Sequence, residues 1–178
     1  MRSLKSLFGL SHPFHLPQHK VDDRSDDKKV NYDALAVSDK RAGILAVLKQ
    51  GEWSEWIPVE LFAKETSFSS QVKFKLIKIE EDGTFRVLAF FNNLNRLIVD
   101  PGNVAQELTD GVGPMVDFAD NWPAQLQYEN EDKATFLEEA NMSLEWHRKA
   151  AGFIFDRYHP DVFIQDTYTP NQMLESRW

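Results

Sequence analysis

The stretch VKFKLIKIEEDGTFRVLAFF, residues 72–91, decides the fold class of this chain. Apolar residues alternate with lysines over residues 72–76, which is the pattern of a strand with one buried face and one solvated face. Residues 80–83, Glu-Glu-Asp-Gly, supply a tight turn because glycine tolerates a positive φ. Residues 84–91 then run back as a second apolar strand. The stretch therefore predicts an antiparallel β-hairpin.

Two segments before the hairpin extend it into a meander. Residues 43–48, GILAVL, form a short apolar run, and Gly51 closes the turn that follows. Most apolar side chains of residues 53–61 stand at alternate, odd-numbered positions, which is the pattern of a half-buried strand with Pro58 at an edge or a bulge. We therefore predict an antiparallel meander of about four strands.

Trp53 and Trp56 lie three positions apart in this meander. An odd spacing places two side chains on opposite faces of a regular strand, so a shared stacking platform would require a bulge. The sequence favours packing, with one ring inward and the other outward against a neighbouring domain. Trp56 is one of three candidates for a residue that lines a substrate pocket.

A helix and a buried strand are predicted after the meander. Apolar residues follow a helical spacing from residue 129 onward, and Pro160 ends the helix because the residue before a proline avoids helical angles. The run Val162-Phe163-Ile164 is typical of a buried strand in a parallel sheet. The predicted class is therefore α+β or α/β, with a β meander followed by a helix–strand unit of an α/β sheet.

These sequence patterns divide the chain into three parts. Residues 1–40 are polar and are predicted to be a flexible N-terminal segment. Residues 41–128 are predicted to form a β-rich accessory subdomain with loops. Residues 129–178 are predicted to be a helix–strand piece of an α/β catalytic core.

The composition narrows the possible partners. A net charge of −8 argues against nucleic acid, whose phosphates the surface would repel. The absence of cysteine from all 178 residues excludes disulfides, thiolate catalysis and cysteine-ligated zinc, and it is compatible with the cytoplasm, the compartment slightly favoured here. No apolar run approaches the ~20 residues that span a bilayer, so no membrane span is expected.

Residues 165–176 are the candidate site by their position. Functional groups of open α/β sheets gather beyond the carboxyl ends of the strands, and this stretch follows the predicted strand. Asp166 and Glu175 carry carboxylates suited to binding hard metals or to acid–base chemistry, and Tyr168 is a third pocket candidate. The alternative is that Asp166 caps the next element and Glu175 is surface charge. His147, on the apolar helix face, is interpreted as a hydrogen-bonded core residue.

Three stretches together resemble a known family. They are GEWSEWIPVEL at 51–61, the hairpin at 72–91, and HPDVFIQDTYTPNQMLESRW at 159–178. The combination is similar to the middle part of the alkaline phosphatase superfamily, in the branch of type I phosphodiesterases and nucleotide pyrophosphatases. The resemblance implies a β-rich insertion in an α/β catalytic domain, a core strand, and then an Asp-x-x-x-His pair that binds one of two metal ions, usually zinc. In this sequence the pair falls on Asn171 and Glu175.

The resemblance implies a segment of a metal-dependent phosphodiesterase that acts on phosphate-ester small molecules. The nucleophile and most metal ligands are then expected in the remainder of the catalytic domain, which would be the partner of this chain. No catalytic residue is assigned here, and the isolated chain is expected to be inactive. Asn171 is a poor replacement for an anionic ligand. This replacement favours the alternative, a non-catalytic ligand- or protein-binding module that uses the outward tryptophan and the hairpin.

Overall fold

The chain forms six strands and two helices in the part that the structure describes. In this computed structural model, those residues are 18–21, 32–39, 42–63, 66–92, 102–116 and 132–167. They belong to two compact units, residues 1–91 and 92–178. The strands are antiparallel and the helices follow them, so the predicted α+β class with a β meander is confirmed.

The first unit consists of two three-stranded antiparallel sheets. The first sheet has the order β1-β2-β3, and the second has the order β4-β5-β6. The strands are β1 (Gln18–Val21), β2 (Ala34–Asp39), β3 (Gly43–Lys49), β4 (Ile57–Ala63), β5 (Thr66–Ile79) and β6 (Phe85–Phe91). The hairpin predicted from residues 72–91 is the β5–β6 pair, and the apolar run at 43–48 is β3.

The turn of the hairpin forms as its residues predict. Gly83 has a φ of +82°, and its N–H donates to the Glu80 carbonyl oxygen at 2.8 Å. The Thr84 N–H donates to Asp82 Oδ1 at 2.8 Å, and this hydrogen bond lowers the pKa of the Asp82 carboxyl. The Asp82 side chain therefore stabilises the backbone of this exposed turn.

The two sheets contribute to one apolar core. Leu35 and Val37 of β2 are fully buried, as are Val72 and Leu76 of β5, and these residues belong to a single cluster. Val72, Phe74 and Leu76, at alternate positions of β5, belong to the cluster, which is the alternation that the sequence shows. Phe74, between Val72 and Leu76 on this face, is among the largest buried side chains.

Part of the segment predicted to be flexible is instead core structure. Strands β1 and β2 lie within residues 1–40, and β2 pairs with β1 on one side and β3 on the other. The short run Leu35-Ala36-Val37 is buried because β2 is the central strand of its sheet. The overall polarity of residues 1–40 hid this run, which is too short to alter the composition of the segment.

The second unit contains two helices, α1 (Val104–Gly111) and α2 (Lys133–Tyr158). Helix α2 ends as predicted, since His159 adopts a left-handed conformation with a φ of 47° directly before Pro160. The helix begins after Asp132, whereas residue 129, from which the helical spacing was predicted, lies outside the described residues.

The buried strand predicted at 162–164 is not formed. Residues 160–167 follow α2 without joining a sheet, and Val162 and Ile164 are 75% and 89% exposed. The boundary between the two units also falls after Phe91 rather than after residue 128. The apolar β-branched run specifies an extended conformation, but the described part of the second unit offers no strand for it to pair with.

Candidate functional site

Trp53 and Trp56 lie on the same face of the second sheet because of a β-bulge. Trp53 bridges Lys75 and Ile57 pairs with Val72, so four steps along one strand match three steps along its partner. One extra residue is therefore inserted between Trp53 and Ile57. Because of the inserted residue, Trp53 and Trp56 lie on the same face although they are three positions apart. The expectation of one inward and one outward ring is therefore wrong.

Ser54 holds the bulge in place. Its N–H donates to the Phe74 carbonyl oxygen at 2.8 Å, and its Oγ accepts the Phe74 N–H at 2.9 Å. The side-chain oxygen thus replaces the backbone carbonyl that a regular ladder would present to Phe74. The Ser54 hydroxyl in turn donates to the Glu55 carbonyl oxygen at 2.7 Å, and Ser54 is only 4% exposed. Both polar groups of Phe74 are consequently satisfied across an irregular stretch.

The two indoles flank one phenyl ring. The ring centroid of Phe90 lies 6.0 Å from that of Trp53, with an edge-to-face angle of 65°, and 6.1 Å from that of Trp56, with an angle of 32°. These separations are within the range of favourable aromatic pairs. The three rings form a continuous aromatic surface on the side of β5 opposite the core.

Two lysines complete this surface. Lys73 Nζ lies 5.5 Å from the ring centroid of Trp56, and Lys75 Nζ lies 5.6 Å from that of Trp53. Both distances allow cation–π attraction. We call the set formed by Trp53, Trp56, Lys73, Lys75 and Phe90 the aromatic-lysine face.

Burial differs across the aromatic-lysine face. Lys75 is 4% exposed, whereas Lys73, Phe90 and the two tryptophans are half-buried. Lys75 is thus almost completely buried where its ammonium lies over the Trp53 ring. The ammonium of Lys73 lies over the Trp56 ring, and within the described ranges Lys73 makes no ion pair. The face can therefore offer a flat apolar surface and a positive charge to the same ligand.

The residues predicted from sequence to form a site have different positions. Trp56 is part of the aromatic-lysine face in the first unit. Asp166 is an exposed residue of the second unit, beyond α2. Tyr168, Asn171 and Glu175 lie outside the described residues. The predicted metal pair therefore remains a prediction.

Sequence reasoning missed Phe90, Lys73 and Lys75 as partners of the tryptophans. The alternation of β5 places both lysines on the outer face, and the register of β6 places Phe90 opposite Lys73. A small polar residue between two tryptophans, Ser54, was the available signal of an irregular strand, because serine readily hydrogen-bonds to nearby backbone.

Helices α1 and α2 are joined by a polar cluster in the second unit. Glu107 Oε2 accepts hydrogen bonds from Arg157 Nε at 3.1 Å and from the Tyr158 hydroxyl at 2.8 Å. The bond from Arg157, followed by that from Tyr158, lowers the pKa of the Glu107 carboxyl. Burial and then the bond to Glu107 raise the pKa of the Tyr158 phenol. Trp146 Nε1 also donates to the Gly113 carbonyl oxygen at 3.1 Å, so the cluster is a structural clamp between the helices.

The described residues offer neither a metal cluster nor a membrane-spanning helix. Within the described ranges, no three His, Asp or Glu side chains come together in a way that could hold a metal ion. Neither described helix is both long and apolar enough to cross a bilayer.

Comparison with known proteins gives no relative for this chain. No family model matches it, and no curated protein or solved structure does so either.

Proposed function

We propose that the first unit is a non-catalytic binding module and that the aromatic-lysine face is its binding surface. The observation that carries this proposal is the bulge between Trp53 and Ile57, which brings both tryptophans to the outer face beside Phe90. A regular strand would have turned one of the two rings into the core. Bulges commonly re-aim side chains next to functional sites.

The chemistry of the face favours a small ligand that has a flat ring and a phosphate ester. Stacking of a base or similar ring on an aromatic side chain contributes about 1–3 kcal/mol. The ammonium of Lys73 supplies a charge-assisted hydrogen bond to a phosphate oxygen. The net charge of −8 disfavours a long polyanion, whereas a small phosphate ester contacts the face alone.

A fluorescence titration of the full chain tests the proposal with three probes: adenosine monophosphate, adenosine and inorganic phosphate. The monophosphate is expected to change the tryptophan emission and to bind at least tenfold more tightly than either fragment. The Trp56→Phe variant should lose most of the signal, since Trp56 borders Phe90 and Lys73. The Lys73→Gln variant should weaken binding of the monophosphate and leave that of adenosine unchanged.

The matched control is Trp146→Phe, because Trp146 is a half-buried tryptophan of the second unit. It should keep the full response to the monophosphate. No emission change at millimolar monophosphate would contradict the proposal. An equal loss of signal in Trp146→Phe and Trp56→Phe would contradict it as well.

The phosphodiesterase segment remains a second proposal, supported by the formation of the hairpin at 72–91 that its resemblance requires. It needs zinc or another divalent cation, with Asn171 and Glu175 as ligands. The zinc content of the purified chain discriminates between the two proposals, and an assay with bis(p-nitrophenyl) phosphate in zinc accompanies it. The binding module should leave this diester intact, and its affinity for adenosine monophosphate should be the same in EDTA. The segment proposal also expects no hydrolysis by the chain alone, but it expects bound zinc.

A further inference from the structure

Two further basic residues lie on the outer face of the second sheet. Val87 and Ala89 of β6 pack against the apolar core, so the alternation of the strand places Arg86 on the opposite side, together with Phe90. Arg86 pairs with Lys78 of β5, and residues paired across a ladder share a face. The aromatic-lysine face therefore continues into a second patch, here named the basic end, which consists of Lys78 and Arg86.

The charged residues of β5 and β6 are all basic. They are Lys73, Lys75, Lys78 and Arg86. Lys78 makes an ion pair of 2.7 Å with Glu80, which lies directly beyond β5, and both side chains are more than half exposed. Exposed pairs of this kind contribute little, so a phosphate group can compete with Glu80 for the ammonium. Positive charge thus follows the aromatic rings along the sheet.

The acidic surplus of the chain belongs to the second unit. Residues 1–91 contain 14 basic and 13 acidic side chains, a net charge of +1, whereas residues 92–178 contain 6 and 15, a net charge of −9. The expectation against nucleic acid was drawn from the charge of the whole chain. It does not describe the unit that carries the aromatic-lysine face.

The basic end lies some distance from the lysine that borders Trp56. Phe90 pairs with Lys73, and Arg86 precedes Phe90 by four residues on β6, which is roughly 13 Å along the strand. A mononucleotide that stacks on Trp56 and places its phosphate at Lys73 leaves the basic end without a contact. A chain of nucleotides carries further phosphates in the direction of the basic end.

We propose that this face binds a short single-stranded oligonucleotide, with a base on Trp56 and backbone phosphates from Lys73 to the basic end. The inference rests on the proposed function and names the ligand class of the same surface. Surfaces that bind single strands combine a basic track with aromatic rings on which successive bases stack. Sites of about four nucleotides occur on small β domains.

The setting of the rings selects a single strand over other polyanions. Trp53, Trp56 and Phe90 are half-buried in the sheet surface, whereas side chains that anchor a protein to lipid enter the bilayer by about 5–10 Å. A duplex keeps its bases stacked on one another and presents only their edges. The unstacked bases of a single strand are free to lie on aromatic side chains.

Isothermal titration calorimetry of the full chain tests the inference with two probes, adenosine monophosphate and 5′-phosphorylated tetradeoxyadenylate. The tetranucleotide is expected to bind at least tenfold more tightly than the monophosphate. The logarithm of its association constant should fall with the logarithm of salt concentration with a slope of about −2, the value for three phosphates of a single strand. Trp56→Phe should weaken both probes.

The Lys78→Gln/Arg86→Gln double variant should reduce the affinity for the tetranucleotide to that for the monophosphate. Unchanged monophosphate binding by this variant shows that it is folded, and Lys78→Glu, at an exposed position, should by itself weaken the tetranucleotide at least threefold. Lys49→Gln is the matched control, since Lys49 is an exposed lysine of β3 in the first sheet. It should leave both affinities unchanged.

Three results would overturn the inference. If the tetranucleotide bound no more tightly than the monophosphate, the inference would fail and the proposed function would stand. If neither probe bound, both would fail. If vesicles of phosphatidylserine bound in place of the tetranucleotide, and the double variant abolished that binding, the face would be a lipid-binding surface.

Discussion

Two stretches of extended chain in this protein share a pattern and differ in environment. Residues 51–63 run along β5, and Ile57 and Leu61 in this stretch are buried. Residues 160–167 run along a helix, and Val162 and Ile164 there are exposed. β-Branched and aromatic side chains favour an extended backbone in both cases. Burial requires a partner strand as well, and only the first stretch has one within the described chain.

The comparison also concerns function. The first stretch pairs its backbone and uses the outer face of the sheet for Trp53 and Trp56. Residues 160–167 contact α2 through Phe163 instead, and Val162 and Ile164 are exposed. The first arrangement suits a small ligand on a rigid surface.

The largest expected effect comes from truncation in the paired region. Phe74→Ala removes a large side chain that is 2% exposed, and we expect the free energy of unfolding to fall by about 3–5 kcal/mol. Ile164→Ala is the matched truncation in the unpaired region and should cost no more than about 0.5 kcal/mol. Urea denaturation measures both. A comparable loss in the two variants would show that Ile164 is buried in solution.

Much of the first unit could be predicted because its signals are local. The alternation of β5 and the turn at Gly83 are readable within twenty residues of sequence. Strand β2 was missed because its apolar run is short and lies next to a dense run of charges. Its burial depends on pairing with β1 and β3 on both sides, and composition does not report such pairing.

The candidate site was harder to predict than the fold. The position of Trp56 depends on the bulge, and the bulge depends on hydrogen bonds between Ser54 and Phe74, twenty residues apart. Parity within one strand cannot reveal such a contact. The end of α2 at Pro160 was predictable, since the restriction that proline imposes is local. The exposure of Ile164 was not, because it depends on whether a strand lies beside it, and the described part of the second unit has none.

The second expected effect tests the origin of the bulge. Ser54→Ala leaves the buried N–H of Phe74 without its side-chain acceptor, and we expect a loss of about 1–3 kcal/mol of unfolding free energy. Ser69→Ala removes a hydroxyl that bonds Glu60 at the surface and should cost no more than about 0.5 kcal/mol. Ser54→Ala should also alter the tryptophan emission. Unchanged stability and emission would mean that the bulge does not depend on Ser54.

The third expected effect separates backbone strain from crowding at the hairpin turn. Gly83 and Gly51 both have a positive φ, so alanine costs about 1–2 kcal/mol in backbone conformation at either position. A Cβ added at Gly83 would also lie 2.6 Å from Tyr32 Cδ2, whereas a Cβ added at Gly51 would have no atom within 4 Å. We therefore expect Gly83→Ala to lower the free energy of unfolding by about 1 kcal/mol more than Gly51→Ala does. Urea denaturation of the two variants measures the difference. Equal effects would show that the Tyr32 ring moves aside freely.

The smallest expected effect concerns the clamp of the second unit and its dependence on pH. The folded-state pKa of Glu107 is lowered by its hydrogen bonds from Arg157 and then from Tyr158, below an ordinary value of 4.5. The stabilisation is therefore fully present above the ordinary pKa and is lost as the pH falls through the lower folded-state pKa. We expect Glu107→Gln to lower the melting temperature at pH 7 and to match the parent chain in strong acid.

Glu145→Gln is the matched control for the clamp. Glu145 also has a lowered pKa, from a hydrogen bond with Arg148, but that pair lies within one helix and is exposed at the surface. Surface pairs within a helix contribute little, so this variant should melt close to the parent chain at both pH values. Helix α1 carries no buried residue of its own, which leaves contacts such as that of Glu107 to hold it on α2. If the two variants behaved alike at pH 7, the Glu107 cluster would be an ordinary surface ion pair and α1 would be held by its apolar contacts.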